Sequence, residues 1–108
     1  MREFELIVTI VNRGFSDSVV KAAREAGAQG GTILHARGTG VHEDATFFGI
    51  TIQPEKEVVL TLVPRAERAE IMRAICREAG LDTPGCGLSF SLPVSAVAGI
   101  SHMGQEQA

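Results

Sequence analysis

The strongest constraint on this chain is a repeat. Arg24-Glu25-Ala26-Gly27 and Arg77-Glu78-Ala79-Gly80 are the same four residues, and each closes a helical stretch that follows an apolar strand. A match in this order writes β-α-β twice along one chain. Phe4 to Val11 reads FELIVTIV, β-branched and apolar, which suits a strand. Ser16 is placed to cap a helix running through Val19, Val20, Ala23 and Ala26, with Gly27 as its left-handed terminator. Thr32 to His35 is a second strand that runs into Arg37-Gly38-Thr39-Gly40. Val41 to Lys56 has no sustained period beyond a short alternation at Phe48 to Ile52, and reads as an excursion with a small hairpin. Glu57 to Val63 is a third strand, and Pro64 suits the first turn of a second helix. Ile71, Ile75 and Ala79 share one face of that helix, with Met72 and Cys76 beside it, until Gly80 ends it. A glycine-rich turn then leads into a fourth strand, Leu88 to Val94.

Two such units in 108 residues leave room for one domain. The expected class is α+β, a ferredoxin-like β-α-β-β-α-β chain with a four-stranded antiparallel sheet and both helices on one face. Residues 1–100 form the domain, and 101–108 a loose tail. The other sheet face has no helix left to cover it. Folding at this length buries roughly 65% of the unfolded surface, so self-association is a natural supplement.

Charge and aromatic content exclude one class of partner. A net charge of −3 opposes the neutralisation of phosphates along a nucleic acid, and with no Trp or Tyr there is little on which to stack bases. Cys76 and Cys86 do not make a disulfide framework, and no basic-then-apolar leader opens the sequence, so a reduced, cytoplasmic protein is expected. The uncharged run from Thr83 to Gln105 is interrupted by Pro84, Gly85, Gly87 and Pro93, which makes it a poor membrane helix.

No catalytic constellation stands out among His35, His42, His102, the two cysteines and the carboxylates, so an enzyme is not expected. His35, among apolar neighbours in a strand, reads as a structural histidine, and His42-Glu43-Asp44 as a solvated loop or a weak metal site. Cys76 reads as a small core residue. Cys86, between Gly85 and Gly87, sits in a tight loop whose backbone amides could stabilise a thiolate. The best functional features are the loops Arg37-Gly38-Thr39-Gly40 and Gly85-Cys86-Gly87. Glycine lets backbone N–H groups approach an anion closely, although neither loop carries a Walker or dinucleotide fingerprint.

In its order of parts the chain resembles the PII signal-transduction proteins over roughly residues 4 to 100. The resemblance rests on Ala26-Gly27, Thr32 followed by Gly38, the second glycine Gly40, the excursion up to Lys56, Val63-Pro64, and Gly85-x-Gly87 before Phe90. It implies a non-enzymatic homotrimer that regulates nitrogen and carbon metabolism, with adenine nucleotides bound in clefts between subunits. The ligand-binding residues it implies are Ile10, Thr32, Arg37, Gly38, Thr39, Gly40, Lys56, Val63, Gly85, Cys86 and Gly87. Residues 41–56 would be the T-loop that docks on a target enzyme or membrane transporter.

The departures from that pattern are specific. Leu88 stands where the family typically has a phosphate-binding lysine, and two further arginines would fall near Gly99 and Ser101. Charge-assisted contacts contribute about 1.5–3 kcal/mol each, so AMP or ADP is easier to accommodate than ATP. Without a tyrosine the chain cannot be controlled by tyrosine nucleotidylation, and His42 is the nearest polar candidate for the glutamine that helps bind 2-oxoglutarate and magnesium. Two other readings stay open. One is a metal-binding trimer resembling the CutA type at fold level, with His35, His42, Glu43 and Cys86 as candidate ligands. The other is a scaffold that has lost ligand binding.

Overall fold

The computed structural model describes residues 3–38, 45–47, 50–52 and 54–100. The elements run β1 (Phe4–Asn12), α1 (Ser16–Glu25), β2 (Thr32–Arg37), β3 (Ala45–Phe47), β4 (Ile50–Ile52), β5 (Glu55–Pro64), α2 (Arg65–Ala79) and β6 (Gly87–Val94). Strands β2, β5, β1 and β6 lie side by side in that order, every neighbouring pair antiparallel. This is the ferredoxin-like sheet that the doubled β-α-β pattern implies. Strands β3 and β4 pair separately, Ala45 opposite Ile52 and Phe47 opposite Ile50, as a short hairpin within the excursion.

Alternation along β1 and β5 sorts the side chains onto two faces. Ile7 and Val11 of β1, with Val59 and Val63 of β5, are fully buried against Val19 and Ala23 of α1 and Ile71 and Ile75 of α2. The opposite face carries Leu6, Val8 and Ile10 across from Leu62, Leu60 and Val58. Leu92, Phe90 and Leu88 of β6 extend it on one side. No described element covers this face, and Leu34, Leu88 and Leu92 are 47%, 53% and 48% exposed.

Sequence expectation and structure differ at the element ends. The α1 N-cap position is Phe15, and Ser16 is the first helical residue. The capping acceptor comes from another strand: Glu57 Oε1 receives the backbone N–H of Gly14 at 3.0 Å and of Ser16 at 3.1 Å. Pro64 is extended, at the N-cap of α2 rather than in its first turn, because it ends β5, and Arg65 N–H there donates to Glu3 O at 2.8 Å. The ladder also outruns the apolar runs. Pairing of Arg37 with Glu55, and of Asn12 with Lys56, carries β2 and β5 further, so Lys56 lies within a strand at the base of the excursion.

Candidate functional site

Three segments meet where β1 ends, β5 begins and β6 begins. Asn12 and Lys56 are direct cross-strand partners, and Lys56 Nζ donates to Asn12 Oδ1 at 2.6 Å. The other end of the same amide, Asn12 Nδ2, donates to the carbonyl of Gly85 at 2.9 Å. Gly38 completes the group: its N–H donates to Pro54 O at 3.2 Å, and its Cα hydrogen faces the stem of Lys56 closely enough that a Cβ would lie 3.8 Å from Lys56 Cγ. The loop before β6 is closed by the Cys86 N–H donating to Thr83 O at 3.2 Å. Gly87 packs against the carbonyl of Ile10, with a φ of +135°.

Of the residues singled out from sequence, Ile10, Gly38, Lys56, Gly85, Cys86 and Gly87 therefore gather at one end of the sheet. Arg37 is at the same end on the edge strand, exposed and in register with Glu55, whose carboxylate pairs with Arg13 Nη1 at 2.5 Å. Thr32 is elsewhere. It lines a groove of about 440 Å³ with Leu6, Gly30, Leu60, Leu62 and Ile100, toward the opposite end of the uncovered face. The span from Leu6 to Asn12 along β1 is roughly 20 Å at the rise of an antiparallel strand. Val63 has its side chain wholly in the helix-facing core, so any ligand contact it makes is through its backbone. Thr39 and Gly40 lie outside the described residues, as do His42, Glu43 and Asp44.

The histidine and cysteine readings change in the structure. His35 is not enclosed: its side chain is 83% exposed on the edge strand, with Nδ1 3.9 Å from Glu57 Oε2. Cys76 is half-buried rather than fully in the core, and its thiol donates to Asp82 Oδ1 at 3.4 Å. Burial first, then the neighbouring Asp82 carboxylate, pushes that thiol up from its ordinary value. Among the described residues no three of His, Cys, Asp and Glu converge as a metal would require.

Asn12 and Glu57 are the residues that sequence reasoning passed over. Asn12 ends an apolar strand beside Arg13-Gly14, where asparagine reads as a turn former. Its role depends on its register opposite Lys56, which composition does not reveal. Glu57 is held ionised by Ser16, whose hydroxyl and backbone N–H both donate to it, then by the Gly14 N–H and by His35 nearby. Its carboxyl therefore lies below the ordinary value of 4.5. The stabilisation this gives is fully present above the unfolded value and is lost as pH falls through the lower folded one. Replacing Glu57 by Gln is expected to lower the urea midpoint at pH 7, with the gap to wild type closing as pH drops below 4.5. A gap that stayed constant with pH would remove the carboxylate's charge from the account.

The fold and this site define a ferredoxin-like domain with an apolar sheet face that no described element covers and a glycine loop tied to a cationic strand end. The sequence profile described as "Nitrogen regulatory protein P-II" matches residues 4–103, and the chain belongs to that family. A crystal structure of Arabidopsis thaliana PII, bound to citrate in that crystal, has a TM-score of 0.69 to this chain at 24% identity. The match covers 87% of this chain and 79% of that one, and it is a likeness of fold. Comparison with curated proteins gives no match. Membership carries the family's general character, that of a signalling regulator. No helix among the described residues is long and apolar enough to cross a membrane.

Proposed function

We propose that this chain is a cytoplasmic, homotrimeric PII-like sensor that binds a small effector at the clefts between subunits. It answers by changing how residues 41–56 engage a target enzyme or membrane transporter. The observation that carries this reading is the split of the candidate residues. Gly38, Lys56 and the Gly85–Gly87 loop lie at one end of the uncovered face, and the groove at Thr32 lies toward the other. In register with Leu60, Thr32 lies four residues from Lys56 along β5, roughly 13 Å, and a second copy packed on the apolar face would bring its own groove toward the Lys56 end, which joins the assembly to the site.

Adenine nucleotides fit the chemistry. The Thr32 groove offers leucine side chains and glycine backbone to a flat apolar ring, and the Lys56 end offers an ammonium group and loop amides to a phosphate. Position 88 is an exposed leucine, so the loop supplies no cation of its own, which favours AMP or ADP over ATP. The sensor reaches its target by shifting populations, and the shift is limited by the effector's differential affinity for the two states.

Calorimetric titration with ATP, ADP and AMP, with molar mass followed by light scattering, tests this reading. The expected result is a threefold assembly that binds AMP or ADP at one per subunit, and more tightly than ATP. A well-folded trimer that binds none of them would overturn the sensor reading and leave a scaffold.

A further inference from the structure

The two helices run antiparallel across the covered face of the sheet. Gly27, just past α1, lies beside Glu67 in the first turn of α2, and Ser18 at the start of α1 shares a hollow with Glu78 near the end of α2. Between them, on the outer side of the helix layer, is a groove of about 390 Å³. Its floor is alanine: Ala22 of α1, Ala26 at its C-cap and Ala74 of α2. Where the helices meet the sheet they carry Val19, Ile71 and Ile75, whereas alanine along their outer seam leaves the space unfilled.

Charged side chains of both signs stand around that floor. Glu70, Arg73 and Arg77 follow one another at spacings of three and four, so α2 presents them on one stripe, and Glu25 faces them from α1. Arg77 is occupied, its Nε donating to Glu78 Oε2 at 3.2 Å. Glu25, Glu70 and Arg73 form no ion pair with any described residue. The arginines at the start of the same helix behave otherwise, since Arg65 and Arg68 both reach Glu5. Lys21, one turn before Glu25, lines the adjoining hollow and does not pair with it. Two carboxylates and a guanidinium therefore face one small space without cancelling one another.

A ligand for such a space carries both signs itself. A simple anion meets Glu25 and Glu70, and a simple cation leaves Arg73 unmatched. A planar guanidinium takes a carboxylate by two parallel hydrogen bonds, and a carboxylate takes an ammonium group by a short charge-assisted one. The volume lies at the lower end of the roughly 300–1,000 Å³ of small-molecule pockets. We propose that the groove between α1 and α2 is a binding site for a free α-amino acid, with the ligand's ammonium group between Glu25 and Glu70, its carboxylate on Arg73, and its side chain against the alanine floor. The site lies on the helix layer, on the other side of the sheet from the apolar face, so it stays open when a second copy covers that face. It does not rest on the nucleotide reading.

The test is titration of the full chain with the common L-amino acids to millimolar concentration, read by calorimetry and by the backbone amide resonances of residues 22–26 and 70–78. Saturable binding of at least one amino acid is expected, with the resonance shifts centred on those residues. For the amino acid that binds most tightly, the matched controls are the corresponding amine without the carboxylate and the corresponding acid without the amino group. Each control is expected to bind about tenfold or more weakly, the effect of one charge-assisted hydrogen bond. Arg73→Ala and Glu25→Gln are each expected to weaken the amino acid by about the same factor. Both positions are exposed, so the amide spectrum away from the groove should be unchanged. No saturable binding of any amino acid would overturn the proposal, and so would a control that bound equally well, shifts centred elsewhere, or full affinity in Arg73→Ala. AMP and ADP titrated into the same protein keep the two readings apart. Nucleotide binding without amino acid binding would overturn the groove alone, and the reverse would overturn the nucleotide reading alone.

Discussion

Replacing Phe90 by Asp is expected to convert the assembly into folded single chains. Phe90 lies on β6 opposite Val8, on the uncovered face, and is 39% exposed in the isolated subunit. A carboxylate there meets water when the chain is alone, so the helix-facing core of Ile7, Val59, Ile71 and Ile75 is untouched. In an assembly that buries this face the same carboxylate has no partner, and the desolvation penalty is several kcal/mol per ion. The distribution of residues gives an independent reason to regard the face as covered. Thr9, Thr61, Glu5 and Glu57 are buried on the helix-covered side, whereas leucines and valines occupy the open side. With Ile7, Val11, Val59 and Val63 also on the helix-covered side, both faces are apolar, and the open one lacks the polar residues of an antiparallel sheet face exposed to water. Light scattering should give the mass of one chain for Phe90→Asp and three for wild type, with far-ultraviolet circular dichroism unchanged. Nucleotide binding should vanish with the assembly. A variant that remained threefold would show that the subunits meet through some other surface.

The apolar character of both faces also decides how much of the molecule was legible in the sequence. Strand and helix identities were readable, because FELIVTIV and the Ile71-Ile75-Ala79 spacing carry their periods openly. The facing of individual strand residues was not. In β1 and β5 both faces are apolar, so alternation says nothing about which set turns toward the helices, and Val63 could be read as site-lining as easily as core. Caps supplied from a distance were equally hidden. Ser16 is the right residue type at nearly the right place, but Glu57 accepts the N–H groups there because β5 starts alongside α1. The glycine loops were legible as loops. Their connection through Asn12 was not, because it depends on the antiparallel register that sets Asn12 opposite Lys56.

Replacing Gly87 by Ala is expected to destabilise the protein far more than the same change two residues earlier, for a reason that tests the geometry of the loop itself. Gly85 and Gly87 both have positive φ, +81° and +135°. A side chain at Gly85 would meet nothing within 4 Å, so Gly85→Ala suffers backbone strain alone, about 1–2 kcal/mol. At Gly87 a Cβ would lie 2.3 Å from Ile10 O and 3.2 Å from Val11 Cα. Both are backbone atoms of a central strand, locked between β5 and β6, and neither can swing aside as a side chain would. The β6 ladder must part from β1 at its first residue. Strain and separation together should cost about 3 kcal/mol or more, a large share of the roughly 5–15 kcal/mol that holds a domain of this size together. With roughly 4–8 °C lost per kcal/mol, the melting temperature of Gly87→Ala should fall by more than about 10 °C, against a few degrees for Gly85→Ala. Both must be measured at one protein concentration, because any self-association would shift the midpoint. Equal effects of the two substitutions would mean that β6 does not approach the Ile10 carbonyl as closely as the register requires. The expected inequality would instead fix the glycine loop to the end of β1, where Asn12 takes hold of it.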